Sequence, residues 1–302
     1  MKVALIFNGD RAGTTGMYLV RACQRLGVPC DHWWLRDAAR IPSEYGLYIR
    51  IDHGDDYQQA LPDRLRPTVF YAIDTHLPHS WRKIRRMAGA FDLVFCCQRE
   101  GARRLRGAEW LPPACDWDVH GYRPMPVRLD VAFVGTEGGT PRKFFLQAIR
   151  ERYPNSYVGG AEYVDITSWY SQAKIGLNYA IKEDVNMRVF EVMAARALLV
   201  TNALRLDDFH RLGFEDRRHL VLYHTPREAF DVIDHYLHHD EERLAIAQAG
   251  QDAVQQCHTY VHRMQQLFAR VAARLGVTVA PDTAQTPSCA SREPRSSGRP
   301  TR

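Results

Sequence analysis

The segment Ile181-Lys-Glu-Asp-Val-Asn-Met-Arg-Val-Phe-Glu-Val-Met-Ala194 holds the densest set of potentially reactive residues, and the apolar run Ala197-Leu-Leu-Val-Thr201 follows it directly. The pattern reads as a polar loop, a helix whose first turn carries Glu191, and a buried strand. A helix N-terminus presents free N–H groups and a partial positive charge, so it favours an anion such as a diphosphate. A carboxylate there has another use: Glu191 can accept hydrogen bonds from two adjacent hydroxyls, as on a ribose. Arg188, three residues earlier, can hold a phosphate with a forked pair of donors. The plainer reading of the pair is a glutamate that complements the helix dipole and a solvated arginine.

Asp74-Thr-His76 closes an expected strand over residues 68–73, at the carboxyl edge where open α/β sheets place ligands. Either Asp74 or His76 could orient a hydroxyl or act as a base; an aspartate that merely caps the next helix is an equal alternative. Asn8-Gly-Asp-Arg-Ala-Gly-Thr-Thr-Gly16 also lies between a strand and a helix, but its spacing is not G-x-G-x-x-G, which argues against a dinucleotide. Asp116-Trp-Asp118 could be a metal-binding D-x-D, yet the prolines around it favour a linker. Seven cysteines at 23, 30, 96, 97, 115, 257 and 289 include no C-x-x-C, so neither a zinc site nor a disulfide framework is implied.

The elements that must position these residues alternate in kind. Short β-branched and aromatic runs at residues 2–7, 32–35, 47–51, 68–73 and 93–97 are separated by helical patterns, the signature of a parallel sheet with crossover helices. Between residues 111 and 128 lie Pro112, Pro113, Pro124 and Pro126, which cannot sit inside a helix or a central strand. A second round of strands follows at 130–134, 156–158, 175–178, 197–201 and 219–223, with helices over 189–195, 226–237, 241–254 and 261–275. The expected organisation is therefore an α/β domain over residues 1–120, a second over 121–276, and a disordered tail over 277–302, rich in Pro, Ser, Thr and Arg.

Several motifs in order resemble one family. Glu183 and Glu191 have the E-x7-E spacing of the GT4-type glycosyltransferases, and Asn186-Met-Arg-Val-Phe-Glu-Val-Met-Ala194 is similar to their CgeB-like subgroup. Leu111-Pro-Pro-Ala-Cys-Asp-Trp-Asp-Val-His-Gly-Tyr-Arg-Pro124 resembles the family's interdomain signature, and His258-Thr-Tyr-Val-His-Arg263 its closing H-T-Y-x-x-R. The likeness covers roughly residues 90–270, and residues 1–90 match in architecture only. It implies a GT-B fold, two Rossmann-like domains facing across a cleft, with a nucleotide sugar held by the second. Glu191 would then bind the ribose. The loop with Glu183, Asn186, Met187 and Arg188 would hold the diphosphate and sugar. Gly135 and Thr136, ahead of Arg142 and Lys143, would form the other phosphate wall, and Gly9, Gly13 and Thr14 would line the acceptor side. The chain departs from the pattern where Asp-Val-Asn follows Glu183 in place of glycines, and where Arg196 stands for the glycine that usually ends the helix. The resemblance further implies retention of anomeric configuration and no metal or other cofactor beyond the nucleoside-diphosphate sugar. A catalytically silent nucleotide-sugar-binding or scaffold protein of the same fold is the alternative.

Bulk properties fit these expectations. The chain has 302 residues, enough for two domains, and no apolar run approaches the ~20 residues of a membrane helix. The N-terminal apolar stretch stops at Asn8, too early for a signal peptide. A cytoplasmic protein is expected, with contact at a membrane surface left open. The net charge of +5 suits an anionic ligand but gives weak support to nucleic acid as a partner, and none is expected.

Overall fold

The structure, a computed structural model, describes residues 1–9, 11–52, 61–182, 184–205 and 207–279. Glu183 and nearly all of the expected tail therefore lie outside the described residues. Two parallel sheets organise the chain. The first holds β1 (Val3–Ile6), β2 (Cys30–Trp33), β3 (Leu47–Ile51), β4 (Thr68–Ala72), β5 (Leu93–Cys96) and the short β6 (Glu109–Trp110), in the order β2-β1-β3-β4-β5-β6. The second holds β7 (Leu129–Val134), β8 (Ser156–Gly159), β9 (Ala173–Asn178), β10 (Leu198–Asn202) and β11 (Val221–Tyr223), in the order β11-β10-β9-β7-β8. Central strands such as β1, β3 and β4 are buried at every residue, because crossover helices cover both faces of a parallel sheet.

The helices are α1 (Thr15–Arg25), α2 (Pro78–Met87), α3 (Arg99–Arg104), α4 (Trp117–His120), α5 (Arg142–Arg152), α6 (Ile166–Ser171), α7 (Met187–Ala194), α8 (Asp208–Arg211), α9 (Pro226–His238), α10 (Asp240–Cys257) and α11 (Tyr260–Leu275). Their starts follow local chemistry. The Thr14 hydroxyl accepts from the Met17 N–H at the head of α1, and Thr225 caps α9, whose first residue is Pro226. Among the described residues no helix is long and apolar enough to cross a membrane.

Each sheet reverses its strand order once, between β1 and β3 and between β7 and β9. Such switch points open crevices at the carboxyl ends of the strands, and here the two sets of carboxyl ends face each other. Two connections cross between the domains and bond to each other: Cys115 N–H donates to His258 O (3.2 Å) and Tyr260 N–H to Cys115 O (2.9 Å). The expected second domain ran to residue 276, but α11 returns to the first. Tyr260, Met264, Leu267, Phe268 and Val271 share a core with Val3, Leu5, Leu19 and Tyr71. Their 3.6-residue spacing identifies a helix and its apolar face but not the sheet it covers.

Candidate active site

A cavity of about 540 Å³ lies between the two sets of strand ends, within the ordinary range of small-molecule sites. Its C-terminal-domain wall is built from the turn after β7, the start of α5, and the loop leading from β9 into α7. Two guanidinium groups sit over the buried Phe133 ring, Arg188 at 4.2 Å and Arg142 at 5.9 Å from its centroid. Arg188 is aimed by its Nε donating to Val134 O (2.8 Å) and its Nη1 to Asn178 Oδ1 (2.9 Å). The Arg142 Nε donates to Glu137 O (2.8 Å). No described carboxylate is paired with either arginine. Burial and the like charge of Arg188 together lower the pKa of Arg142 from its ordinary value. Two adjacent, half-dehydrated cations with no carboxylate at ion-pair distance among the described residues form an anion site. Gly135 lies beneath it with φ +142°, and a Cβ there would run into the Arg188 guanidinium.

Bonding also fixes the neighbouring amides. Arg188 can only donate, so the Asn178 atom facing it is the oxygen, and the Asn186 amide that also meets that oxygen (3.2 Å) must present its NH₂. Asn186 Oδ1 is thereby left buried with no partner, an acceptor waiting for a ligand donor.

Glu191 lines the same cavity and is 8% exposed. It is not in the first turn: α7 starts at Met187, so the carboxylate lies one turn further in, on the buried side. The dipole-complement reading fails for that reason. Burial raises its carboxyl to about 7, against the opposing pull of Arg188. Facing it at 3.7 Å is Nε2 of His120, a residue with no exposed surface whose pKa burial lowers to about 3.

The N-terminal-domain wall carries the acceptor-side candidates. Asp74 and His76 line the cavity, and the carboxylate of Asp52 accepts from the backbone N–H groups of Ile73 (3.1 Å) and Asp74 (3.3 Å), pinning that turn. Gln98 Oε1 accepts from Thr75 N–H (3.2 Å) and Oγ1 (2.6 Å), which turns the Gln98 NH₂ toward Asp184 Oδ1 (2.9 Å) across the cleft. Asp184 Oδ2 faces His76 Nε2 at 3.9 Å, and His76 Nδ1 is buried without a partner. Burial raises the Asp184 carboxyl, opposed by His76 and Gln98.

The structure thus brings Asp74, His76, Gly135, Thr136, Arg142, Asn186, Met187, Arg188 and Glu191 to one cavity. Lys143 is exposed and does not line it, because it points away from its buried neighbour Arg142 on α5. Gly9, Gly13 and Thr14 do not line it either. Gly9 packs on His32, Gly13 on Tyr163 of the other domain, and Thr14 is spent on the cap, while Thr15 takes the lining position. Asp116 and Asp118 are ion-paired to Arg21 and Arg25 of α1, so the D-x-D is an interdomain clasp. Gln98, Asp184 and His120 were not legible beforehand. The strand-end rule that picked Asp74 would have reached Gln98, but no sequence signal marks His120.

Charge is less evenly spread than its total suggests. Residues 82–106 contain Arg82, Lys83, Arg85, Arg86, Arg99, Arg103, Arg104 and Arg106 against Asp92 and Glu100, a net +6 compared with +5 for the whole chain. Seven of the eight cations fall on α2 and α3 and Arg106 just follows; the two helices start beside the cavity-lining His76, Leu77 and Gln98, and Arg104 stacks on Trp81 (4.5 Å) to join them.

Residues 128–269 match the model of a family described as glycosyl transferase-like. No curated protein matches the chain in sequence. Among solved structures the chain is similar to Anabaena HepE in complex with UDP and glucose, with TM-score 0.66, 12% identity, and coverage of 90% of this chain and 100% of that one. It is also similar to the DNA modifying enzyme β-glucosyltransferase (TM-score 0.60, 16% identity, 90% and 99% covered). A third is an α-glucosyltransferase in complex with UDP-glucose and DNA containing an abasic site (TM-score 0.66, 8% identity, 90% and 99% covered). Residues 128–269 are therefore glycosyl transferase-like in sequence, and the two facing Rossmann-like domains have the GT-B fold.

Proposed function

We propose that the chain is a glycosyltransferase that moves a sugar from a uridine diphosphate donor to an acceptor held by the N-terminal domain. The observation that carries this reading is the adjacent pair of guanidinium groups, Arg142 of α5 and Arg188 of α7, neither ion-paired among the described residues, with the buried carboxylate of Glu191 one helical turn beyond Arg188. Cations suit the diphosphate, the carboxylate suits the ribose diol, and Asn186 Oδ1 suits a sugar hydroxyl. UDP is chosen because the fold neighbours were solved with UDP or UDP-glucose. Membership of the GT4-type, CgeB-like subgroup is part of the proposal, supported by the Glu183–Glu191 spacing. With it come retention of configuration and independence of metal, the arginines and the α7 N-terminus neutralising the leaving diphosphate.

His76 favours a second stereochemical reading. If Asp184 keeps the proton on Nε2, then Nδ1 is a free lone pair able to take a proton from an acceptor, as an inverting displacement requires. The fold hosts both an α- and a β-glucosyltransferase and does not decide between them. The excess of cations on and just after α2 and α3 supports an anionic acceptor or carrier. Since two fold neighbours are described as DNA modifying or DNA bound, nucleic acid belongs among the acceptors to be screened.

The test is turnover of UDP-glucose and other UDP-sugars, followed by ¹H NMR of the released or transferred sugar. An α product supports retention and a β product the His76 reading. Binding of UDP with no turnover of any donor on any acceptor would move the chain to the silent, scaffold alternative.

A further inference from the structure

His120 lies in α4, in the first of the two interdomain connections, far in sequence from the donor-binding run. Three observations set its role. Its Nδ1 accepts from the Asp116 backbone N–H (3.0 Å), so the ring proton must be on Nε2. That Nε2–H lies between Glu191 Oε1 of the C-terminal domain (3.7 Å) and the Tyr18 hydroxyl of the N-terminal domain (3.4 Å). The Asp116 that supplies the anchoring N–H is itself held by Arg21 of α1, and Tyr18 stacks on Tyr260 of α11 (5.3 Å). One imidazole of the first connection therefore touches both domains, and Tyr18 links it to α11.

We infer that His120 is a positioning residue for donor recognition: its Nε2–H orients the Glu191 carboxylate toward the vicinal hydroxyls of the nucleotide, so that the hinge conformation sets how well the ribose is read. The inference rests on the UDP-donor reading above. The groups facing Glu191 are Arg188 on its own helix, Tyr170 of α6, Cys115 and His120 of the connection, Tyr18 of α1 and Tyr260 of α11. Arg188 is the one charged member and its guanidinium bonds Val134 and Asn178, while the imidazole Nε2–H stands 3.7 Å from Glu191 Oε1, placed to direct the carboxylate.

The experiment compares UDP with 2′,3′-dideoxy-UDP by calorimetry on wild type, His120→Leu and His120→Gln. Wild type should prefer UDP by about tenfold or more, a ratio that reads the diol alone. His120→Leu, close in size but without a donor, should bring the two ligands to within about threefold, by weakening UDP and leaving the dideoxy compound unchanged. His120→Gln places an amide NH₂ near the Nε2 position and should restore most of the preference. With Leu, the pH at which the preference fades should also move upward, because the carboxylate loses the N–H dipole that faces its charged form at 3.7 Å. A ratio unchanged in His120→Leu would overturn the inference while leaving the donor site intact. Absence of UDP binding by wild type would overturn the donor reading and this inference with it. A ¹⁵N spectrum of the unliganded protein gives a check needing no ligand: a neutral imidazole protonated on Nε2 supports the inference, and an Nδ1 tautomer or an imidazolium contradicts it.

Discussion

Glu191 shows how much one residue's surroundings decide. Its type and its distance from Arg188 were enough to suggest a diol ligand, but the sequence pattern put it in a solvated first turn. The structure puts it one turn deeper, and the consequence is thermodynamic. An ordinary glutamate titrates near 4.5 and the buried one at about 7. Between those values the folded protein keeps a proton that the unfolded chain releases, so stability falls as pH rises through that window and the loss is complete above it. Glu191→Gln removes the buried charge. The variant should be more stable than wild type at pH 8 by about 1–3 kcal/mol and nearly equal to it at pH 5, measured by urea denaturation. Equal stabilities at pH 8 would mean that the carboxylate is hydrated or counter-charged. The same variant should lose most affinity for UDP, the combination expected of a residue kept for function at a cost to stability.

At the scale of elements, the periodic segments were easy to read and their ends were not. All ten expected strands exist, because β-branched runs between turn residues have few alternatives. The two-residue β6 was missed, being too short for any pattern. The end of α7 is more instructive. Arg196 stands where glycine was expected and still adopts the left-handed conformation, φ +63°. The N–H groups of Arg196 and Ala197 bond back to Met193 O and Val192 O, closing the helix in a Schellman turn without the residue best suited to it. Arg196→Gly should therefore stabilise the protein by about 0.5–1 kcal/mol, visible as a rise in Tm, even though it forfeits the stacking of Arg196 on Tyr122 (5.5 Å). A fall in Tm would show that the stacking outweighs the backbone preference. The charge concentrated around α2 and α3 escaped notice for a different reason: a net charge averages over the chain, whereas residues 82–106 alone carry +6.

For the whole molecule, the two connections and α11 determine how the halves of the cavity meet. The closing His258-Thr-Tyr-Val-His-Arg263 motif, which resembled a family signature, has a structural job. Arg263 is 1% exposed, and its guanidinium donates to Pro112 O (2.9 Å), Pro113 O (3.3 Å) and Cys257 O (3.3 Å), tying the second connection to the first. Arg263→Ala would leave Pro113 O without its donor in a closed interior and Pro112 O with only the longer Tyr71 hydroxyl contact (3.4 Å), at about 1–3 kcal/mol per lost donor before any cavity term. A loss of at least about 3 kcal/mol is expected in urea unfolding; a loss below about 1 kcal/mol would mean that the carbonyls find other donors or water. This long-range pairing was invisible beforehand because it joins residues about 150 apart, and the return of α11 to the first sheet was hidden for the same reason. The central claim is that the cleft holds the diphosphate of a nucleotide sugar on Arg142 and Arg188. Calorimetric titration of UDP into wild type and Arg188→Ala, with uridine as a control lacking phosphate, tests it most directly. The account predicts micromolar UDP binding by wild type, a loss of at least about tenfold in the variant, and little difference between the two for uridine. Equal UDP affinity in both folded proteins, or none in wild type, would contradict it.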